Sequence, residues 1–287
     1  MSGSINVIEL QSGSLSLALR PDLGGCIAGL WQHGVPVLRS TDADALTSSR
    51  TSGCYPLLPY SNRIANRRFS WAGQAYTTQQ NFDENPHSVH GVGWQRAWQV
   101  ASQSDSEAAL SLSHAGDADW PFAFEAQQRF TLTPNGLEIE LTFTNTAGHA
   151  VPAGLGWHPY FPKRQRSRLH IELTHRWDSD PESELPTRKL AQPGIDADVA
   201  QLSYDNCFEG WRGAARIRDE SLSLKLTSSL PYLVVFTPQA KPYYCVEPVS
   251  HVNNAINMAD PLANGLRSIE PGQSTSAWMK LEIADVH

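Results

Sequence analysis

The chain has 287 residues, a formal net charge of −7, a pI near 5.8 and no dominant basic block, which argues against nucleic acid or an anionic membrane as a partner. Hydrophobic residues make up 40% of it and charged residues 18%, as in a globular protein with a substantial core. The N-terminal residues lack the basic and apolar segments of a signal peptide, and no stretch has the length of a transmembrane span. We therefore expect a cytoplasmic protein without membrane or nucleic-acid partners.

The cysteines are few and widely spaced, with no pair in a C-x-x-C arrangement. In a chain of this length without a secretion signal, such cysteines are expected to be buried free thiols rather than a disulfide framework. The four positions are Cys26, Cys54, Cys207 and Cys245.

Apolar residues alternate with polar ones along most of the chain, which predicts β-strands. The first two strands, residues 5–10 and 15–19, form a predicted hairpin, and residues 69–76 form another that turns at Ala72-Gly73. Two prolines make residues 54–60 irregular. Further strands are predicted at residues 27–31, 35–38, 98–102, 108–113, 122–132, 137–145, 168–173, 214–218, 222–226, 232–236, 243–247 and 276–283.

The strongest local pattern is a hairpin that turns at Pro134-Asn135-Gly136, because asparagine and glycine both tolerate positive φ. Residues 178–193 are polar and carry three prolines, so we interpret them as a long surface excursion. No long amphipathic helix is indicated. Many short strands separated by glycine and proline predict an all-β sandwich or barrel, with residues 1–287 forming a single domain.

A histidine between small residues and a Pro-aromatic pair stands out in the stretch Gly154-Leu155-Gly156-Trp157-His158-Pro159-Tyr160. If this stretch is extended, His158 and Tyr160 share one face, and Trp157 lies on the other. A titratable ring would then stand beside a phenol. A buried core histidine explains the same pattern, and the window alone does not separate the two interpretations.

A glutamate ends the apolar stretch Tyr243-Tyr244-Cys245-Val246-Glu247. On a strand, Glu247 shares a face with Cys245 and Tyr243. Burial in such surroundings raises the pKa of a carboxyl group and makes it a better general base near neutral pH. We therefore favour a functional role for Glu247 over a scaffold role.

Three other polar groups are candidates. Arg63 lies between two asparagines after a proline-rich bend, in a loop that is rich in donors. His87 and His90 fall short of a metal-ligand set, because no third ligand has suitable spacing, and are better read as loop residues beside a pocket. The basic residues Lys163, Arg164, Arg166 and Arg168 fit a solvated loop and strand start better than a phosphate contact.

Taken in order, these segments resemble the aldose 1-epimerase (galactose mutarotase) family. The resemblance extends from about residue 15 to the C-terminus and rests on five short motifs, each weak alone and fairly specific together. They are Asn62-Arg63-Ile64-Ala65-Asn66 followed by Phe69, His90-Gly91, Gly156-Trp157-His158-Pro159-Tyr160-Phe161, Tyr204-Asp205-Asn206, and Val246-Glu247-Pro248.

The resemblance implies a large antiparallel β-sandwich of the galactose mutarotase type that interconverts the α and β anomers of a free aldose. It implies Glu247 as general base, His158 as general acid, and Arg63, His90 and Asp205 as substrate-binding residues. No metal and no organic cofactor are implied. The expected partner is a small-molecule monosaccharide, and the protein is expected to be a monomer or a homodimer.

Three alternatives remain open. A hexose-6-phosphate 1-epimerase would need cations near C6 of the sugar, so Lys163, Arg164 or Arg67 would have to face the cleft. A non-catalytic sugar-binding or sensing protein would use Glu247 and His158 only as hydrogen-bonding groups. A glycosidase would need a carboxylate pair, for which Asp205 and Glu247 are the candidates.

Overall fold

The computed structural model describes residues 6–83 and 85–285, and β-strands make up about half of these residues. Within these ranges no α-helix is present. The six short 3-10 turns are Ala43–Ala45, Ser49–Thr51, Ala65–Arg67, Gly93–Gln95, Val199–Gln201 and Ala255–Asn257. The strands are β1 Ile8–Ser12, β2 Leu15–Arg20, β3 Cys26–Gln32, β4 Val35–Pro36, β5 Pro56–Leu57, β6 Arg63–Ile64, β7 Arg68–Trp71, β8 Gln74–Thr77, β9 Ser88–Val89, β10 Gln99–Gln103, β11 Glu107–His114, β12 Phe124–Thr133, β13 Gly136–Asn145, β14 Val151–Ala153, β15 Gly156–Trp157, β16 Tyr160–Pro162, β17 Arg168–Ile171, β18 His175–Ser179, β19 Pro186–Ala191, β20 Ile195–Asp198, β21 Asp205–Glu209, β22 Ala214–Arg218, β23 Leu222–Ser228, β24 Tyr232–Phe236, β25 Tyr243–Val249, β26 Arg267–Ile269 and β27 Ser274–Asp285.

Two large antiparallel sheets dominate the molecule. One has nine strands in the order β10-β11-β12-β13-β27-β23-β22-β17-β20. The other has eight, in the order β19-β18-β21-β24-β25-β15-β5 with β16 also paired to β25. A four-stranded sheet β1-β2-β3-β4 and three two-stranded ribbons complete the fold, which is therefore all-β as the sequence predicts.

Buried side chains of both large sheets belong to one continuous hydrophobic cluster. Along β12 every second residue is buried and the intervening residues are more exposed, as expected for a sheet with one face against the core. In β25, by contrast, every residue from Tyr244 onward is buried. One face of β25 therefore joins the core, while the other carries Glu247 and is covered by neighbouring loops.

The pairing of β16 with β25 determines the position of the histidine. Its register sets Tyr160 opposite Cys245, and β15 pairs with β25 in the same register. His158 lies two residues before Tyr160, and Glu247 lies two residues after Cys245. The same antiparallel register therefore brings His158 opposite Glu247. Pro159, which has no N–H to donate to a sheet, separates β15 from β16 at this point.

Most predicted strands are confirmed, including the hairpins β1-β2 and β7-β8 and the long hairpin β12-β13. The first strand begins at Ile8, and the predicted start at Ile5 lies outside the described residues. The reasoning for the β12-β13 turn was wrong, because neither Asn135 nor Gly136 has a positive φ. Gly136 lies within β13, where an added Cβ would come within 2.1 Å of the carbonyl oxygen of Leu281.

The surface excursion predicted for residues 178–193 is confirmed, since none of these residues is buried, but the strands within it were not predicted. These residues contribute most of the hairpin β18-β19, which forms one edge of the eight-stranded sheet. Prolines are tolerated there because an edge strand leaves part of its backbone unpaired.

Three further predictions concern the cysteines, membrane spans and domain organisation. All four cysteines are buried and unpaired, as predicted. Across the part of the chain that the structure describes, no helix has the length and hydrophobicity needed to cross a bilayer. The single-domain organisation of residues 1–287 stays a prediction.

Candidate active site

A cavity of about 620 Å³ opens beside the face of β25 that carries Glu247. This size suits a small organic ligand such as one sugar ring. All five residues that the sequence singles out as site residues line it, although they come from distant parts of the chain. They are Arg63, His90, His158, Asp205 and Glu247.

Glu247 and His158 form a buried ionisable pair in the cavity. The Nε2 atom of His158 lies 3.4 Å from Oε1 of Glu247, and both side chains are almost fully buried. A small movement is enough to bring the two atoms into hydrogen-bond distance. The pair can therefore hold and exchange a proton at one side of the cavity.

Burial shifts the two groups in opposite directions. Removal from water raises the pKa of Glu247 well above its ordinary value, and the nearby Asp205 raises it further. Burial together with the charge of Arg39 lowers the pKa of His158 to about 3. Burial therefore favours the uncharged form of each group, the protonated carboxyl and the neutral imidazole.

The imidazole of His158 is held by aromatic packing. It stacks on Tyr160 with ring centroids 4.4 Å apart and on Tyr55 with centroids 4.8 Å apart. This confirms that His158 and Tyr160 share a face, while Trp157 is buried in the core. Among the described residues, Nδ1 of His158 has no hydrogen-bond partner, so no neighbouring group fixes the tautomer of the ring.

Three other histidines have fixed tautomers, because each accepts a backbone N–H from the loop that carries Arg63. Asn62 donates to Nδ1 of His90 at 3.1 Å, and Asn66 donates to Nδ1 of His87 at 2.9 Å. The backbone N–H of Ser61 donates to Nε2 of His251 at 3.1 Å. Such a loop needs external acceptors, since Asn62 and Asn66 have positive φ and the backbone is irregular.

The bond from Asn62 decides what His90 can do. Because its Nδ1 accepts a hydrogen bond, a neutral His90 carries its proton on Nε2. Burial and the neighbouring His158 lower the pKa of His90 well below its ordinary value, which keeps the ring neutral. His90 is thus a neutral hydrogen-bond donor in the cavity lining.

Arg63 lies at the centre of a polar network. Its Nη1 donates to the side-chain oxygen of Asn62 at 3.1 Å, its Nη2 pairs with Glu184, and Asp205 lies 4.0 Å from the same Nη2. Partial burial raises the pKa of Asp205 against the opposing effect of Arg63. The fold therefore brings Arg63 and Asp205, two of the site residues named from the sequence, together at the cavity.

Sequence reasoning missed Glu184 and His251. Glu184 lies at the tip of the β18-β19 hairpin, and His87 anchors this tip by donating from Nε2 to the carbonyl oxygen of Ser183 at 2.9 Å. His87 is thus a loop anchor and is not part of the cavity lining. The polar composition of the hairpin concealed Glu184.

The basic segment after β16 is not part of the cavity. Lys163 donates to the carbonyl oxygens of Pro238 and Gln239, and Arg164 pairs with Asp219 at 2.6 Å. Neither residue lines the cavity, and Arg67 does not either. The alternative that required Lys163, Arg164 or Arg67 to face the cleft is therefore contradicted. The cations that do line the cavity are Arg39, Arg50, Arg63 and Lys241.

Potential metal-donor side chains come together once in the described residues. Donor atoms of His158, Cys245 and Glu247 lie within 4.8 Å of one another. Burial raises the pKa of the Cys245 thiol well above its ordinary value, and metals bind the thiolate rather than the thiol. The cluster therefore suits proton transfer better than metal binding.

Known proteins resemble this chain over almost its whole length. Residues 6–282 match the family model described as aldose 1-epimerase. The chain belongs to the aldose 1-epimerase family. It is 30% identical over 296 residues to "Uncharacterized protein YphB" of Escherichia coli K12, with 97% of this chain and 99% of that protein covered.

Structural similarity to the family is equally extensive. A crystal structure of a candidate aldose 1-epimerase (b2544) from Escherichia coli K12 matches with a TM-score of 0.88 and 29% identity, over 99% of this chain and 100% of that one. A protein of the same organism named aldose 1-epimerase is 30% identical over 147 residues, which is 47% of this chain and 42% of that protein. The fold is thus that of the galactose mutarotase-like proteins.

In this member of the aldose 1-epimerase family, the buried His251 should make stability depend on pH. Burial lowers its pKa from 6.5 to about 4, so between these values the unfolded chain binds more protons than the folded one. Stability contributed by a neutral His251 is therefore lost as pH falls through this window. At pH 5 we expect a loss of about 2 kcal/mol relative to pH 7.5.

The measurement is the free energy of unfolding in denaturant at pH 7.5 and pH 5 for the wild type and His251→Gln. The variant should lose about 2 kcal/mol less over this pH change, because glutamine does not titrate. The control is His33→Gln, since His33 is exposed. Equal pH dependence in the wild type and His251→Gln would contradict the prediction.

Proposed function

We propose that this protein is an aldose 1-epimerase that interconverts the α and β anomers of a monosaccharide by ring opening and closure. The observation that carries the proposal is the pair His158–Glu247, buried together at 3.4 Å in a cavity of sugar size. Anomer exchange needs one acid and one base across a small ring, and no nucleophile. Membership of the aldose 1-epimerase family supports the same chemistry.

In the proposed mechanism, Glu247 as carboxylate removes the proton of the C1 hydroxyl while His158 as imidazolium protonates the ring oxygen. The C1–O5 bond breaks and the open-chain aldehyde forms. Rotation about C1–C2 presents the other face of the carbonyl, and closure returns both protons. The reaction balances without an oxidant, a reductant or a cofactor.

These roles require the proton of the pair to lie on His158, whereas burial favours the proton on Glu247. Arg63 opposes that preference, because its positive charge lowers the pKa of Glu247. Since the same two groups act in both directions, each must serve as acid and as base during turnover. The pair should therefore titrate as a unit, with apparent pKa values that belong to both residues.

The substrate-binding roles follow from the groups that line the cavity. His90 is proposed to donate from Nε2 to a sugar oxygen, and Arg63 to donate to the ring oxygen or a neighbouring hydroxyl. Asp205, which is only partly buried, is proposed to accept from a pair of sugar hydroxyls. These contacts would orient the ring so that C1 and its oxygens meet the catalytic pair.

The test is exchange spectroscopy by NMR on a panel of free aldoses at anomeric equilibrium, with and without protein. We expect cross-peaks between α and β anomers of at least one sugar at a rate well above that of the buffer. Heat-inactivated protein and Glu140→Gln, a substitution on the exposed face of β13, serve as controls. Tight sugar binding without any exchange would contradict the proposal and favour a sugar-binding or sensing protein.

A glycosidase is less well supported, because the nearest ionisable partner of Glu247 in the cavity is an imidazole rather than a second carboxylate. Release of reducing sugar from an oligosaccharide panel would reveal such an activity.

A further inference from the structure

One cation of the cavity has no carboxylate partner. Arg39 lines the cavity beside the catalytic pair, and among the described residues no acidic oxygen lies within the 4.0 Å of an ion pair. The other arginines of the lining are neutralised: Arg50 pairs with Asp83 at 2.8 Å, and Arg63 pairs with Glu184.

The guanidinium of Arg39 is nevertheless held firmly. Its Nε donates to the carbonyl oxygen of Ser52 at 2.8 Å, and its Nη2 donates to the carbonyl oxygens of Arg50 and Ser52, each at 2.6 Å. Its Cζ lies 3.6 Å from the ring centroid of Tyr160 and 4.9 Å from that of Tyr243. The plane of the group is thus fixed before any ligand arrives.

These contacts neither neutralise the charge of Arg39 nor occupy all of its N–H donors. Carbonyl oxygens orient a guanidinium without cancelling its charge, and three of its five N–H groups are used in this way. Nη1 has no protein acceptor within residues 6–83 and 85–285. A fixed guanidinium with a free donor edge is well suited to an anionic oxygen.

Lys241 is a second cation in the cavity lining. It lies two residues before Tyr243, and the ring of Tyr243 contacts the guanidinium of Arg39. No acidic oxygen within the described part of the chain lies in ion-pair distance of its Nζ. Lys241 is exposed, so its long side chain can reach toward a ligand at the cavity mouth.

The described carboxylates of the cavity lie beside groups other than Arg39 and Lys241. Glu184 and Asp205 are both associated with Arg63, and Glu247 faces His158. The described residues of the cavity therefore combine the pair Glu247–His158 and an Arg63 network that holds two carboxylates with a positive region at Arg39 and Lys241, where no described carboxylate lies within ion-pair distance. A neutral aldose offers nothing that would balance two such charges.

We propose that the sugar carries an acidic substituent, a carboxylate, sulfonate or phosphate, and that Arg39 and Lys241 bind it. This inference rests on the proposed function and names the substrate class of the same site. Arg39 would donate from Nη1 to the anion, and Lys241 would add a mobile charge from the rim. The anomeric carbon would remain at Glu247 and His158.

The test compares anomer exchange of glucose and galactose with that of their C6 uronic acids, 6-phosphates and 6-sulfonates. At least one acidic sugar should have a kcat/KM about tenfold or more above its parent hexose, since a charge-assisted contact contributes about that factor. The advantage should shrink as NaCl rises from about 20 to 300 mM, because a partly exposed charge is screened. The three acidic series identify which anion is preferred.

Variants assign the effect to the two cations. In Arg39→Met the ratio of kcat/KM for the acidic sugar to that for its parent should fall about tenfold, and in Lys241→Met several-fold. The ratio matters because any change that Arg39→Met causes at His158 affects both sugars alike. The control is Arg168→Gln, an exposed member of the basic segment outside the cavity, which should leave the ratio unchanged.

The outcomes separate this inference from the proposed function. If neutral hexoses exchange as fast as every acidic congener, or if the ratio survives both substitutions, the inference is wrong and the epimerase proposal stands. If acidic sugars bind with dependence on Arg39 but never exchange, the binding region stands and the epimerase proposal fails. Absence of both binding and exchange overturns both. Should Arg39→Met not fold, the wild-type panel and Lys241→Met decide.

Discussion

Replacement of Glu247 by glutamine is expected to reduce anomer exchange by about 10³-fold, because general acid–base catalysis by one group contributes about 10²–10⁴. Glutamine keeps the shape of the side chain but can neither remove nor return a proton. Exchange spectroscopy at saturating sugar measures the effect as a loss of kcat. Sugar affinity should change much less, since the cavity wall is preserved.

Stability provides the internal control for this substitution. The carboxyl is buried, and its pKa is raised because the charged form is disfavoured, so the folded protein already favours the neutral group. The uncharged amide should therefore leave the free energy of unfolding at pH 7 unchanged or slightly higher. Retention of more than about a tenth of the wild-type exchange would contradict the assignment of Glu247.

Replacement of His158 by asparagine should have an effect of similar size, about 10²–10³-fold on kcat. Asparagine can form hydrogen bonds but cannot carry the proton that the ring oxygen must receive. The pH profile supplies a readout that a structural role would not change. With the pair broken, kcat/KM should lose the second limb of a two-step profile, because only Glu247 remains to titrate.

The control for this substitution is His33→Asn, in the turn between β3 and β4. His33 has φ of 50°, a conformation that asparagine adopts readily, and its side chain is exposed. This variant should match the wild type in rate and pH profile. The double variant Glu247→Gln/His158→Asn should be no slower than the slower single variant, since the two groups act as a unit. Additive losses would argue against a shared proton.

The sequence determined the chemistry-bearing faces because strand alternation is a local property. The alternation of residues 155–160 placed His158 with Tyr160, and the stretch ending at Glu247 placed that carboxyl with Cys245. Burial of Glu247 could be anticipated from its apolar neighbours alone. The all-β fold followed from the same patterns, and the family resemblance named the five residues that line the cavity.

Local patterns failed where the backbone conformation depends on distant contacts. Gly136 is required by the close approach of β27 rather than by its own turn, and nothing near it in sequence indicates that strand. Residues 178–193 form a hairpin because β21 offers an edge to pair with, although their own composition is that of a loop.

Only the tertiary structure decided which charges meet in the cavity. Arg39, Lys241 and Glu184 carry no distinguishing sequence signal, whereas the conspicuous residues Lys163 and Arg164 are held elsewhere. The register of β16 on β25 set His158 opposite Glu247, and hydrogen bonds from the Arg63 loop set the tautomers of other histidines. The physical reason is that alternation specifies a face within one strand, while pairing register and loop contacts between distant segments specify which faces share a cavity.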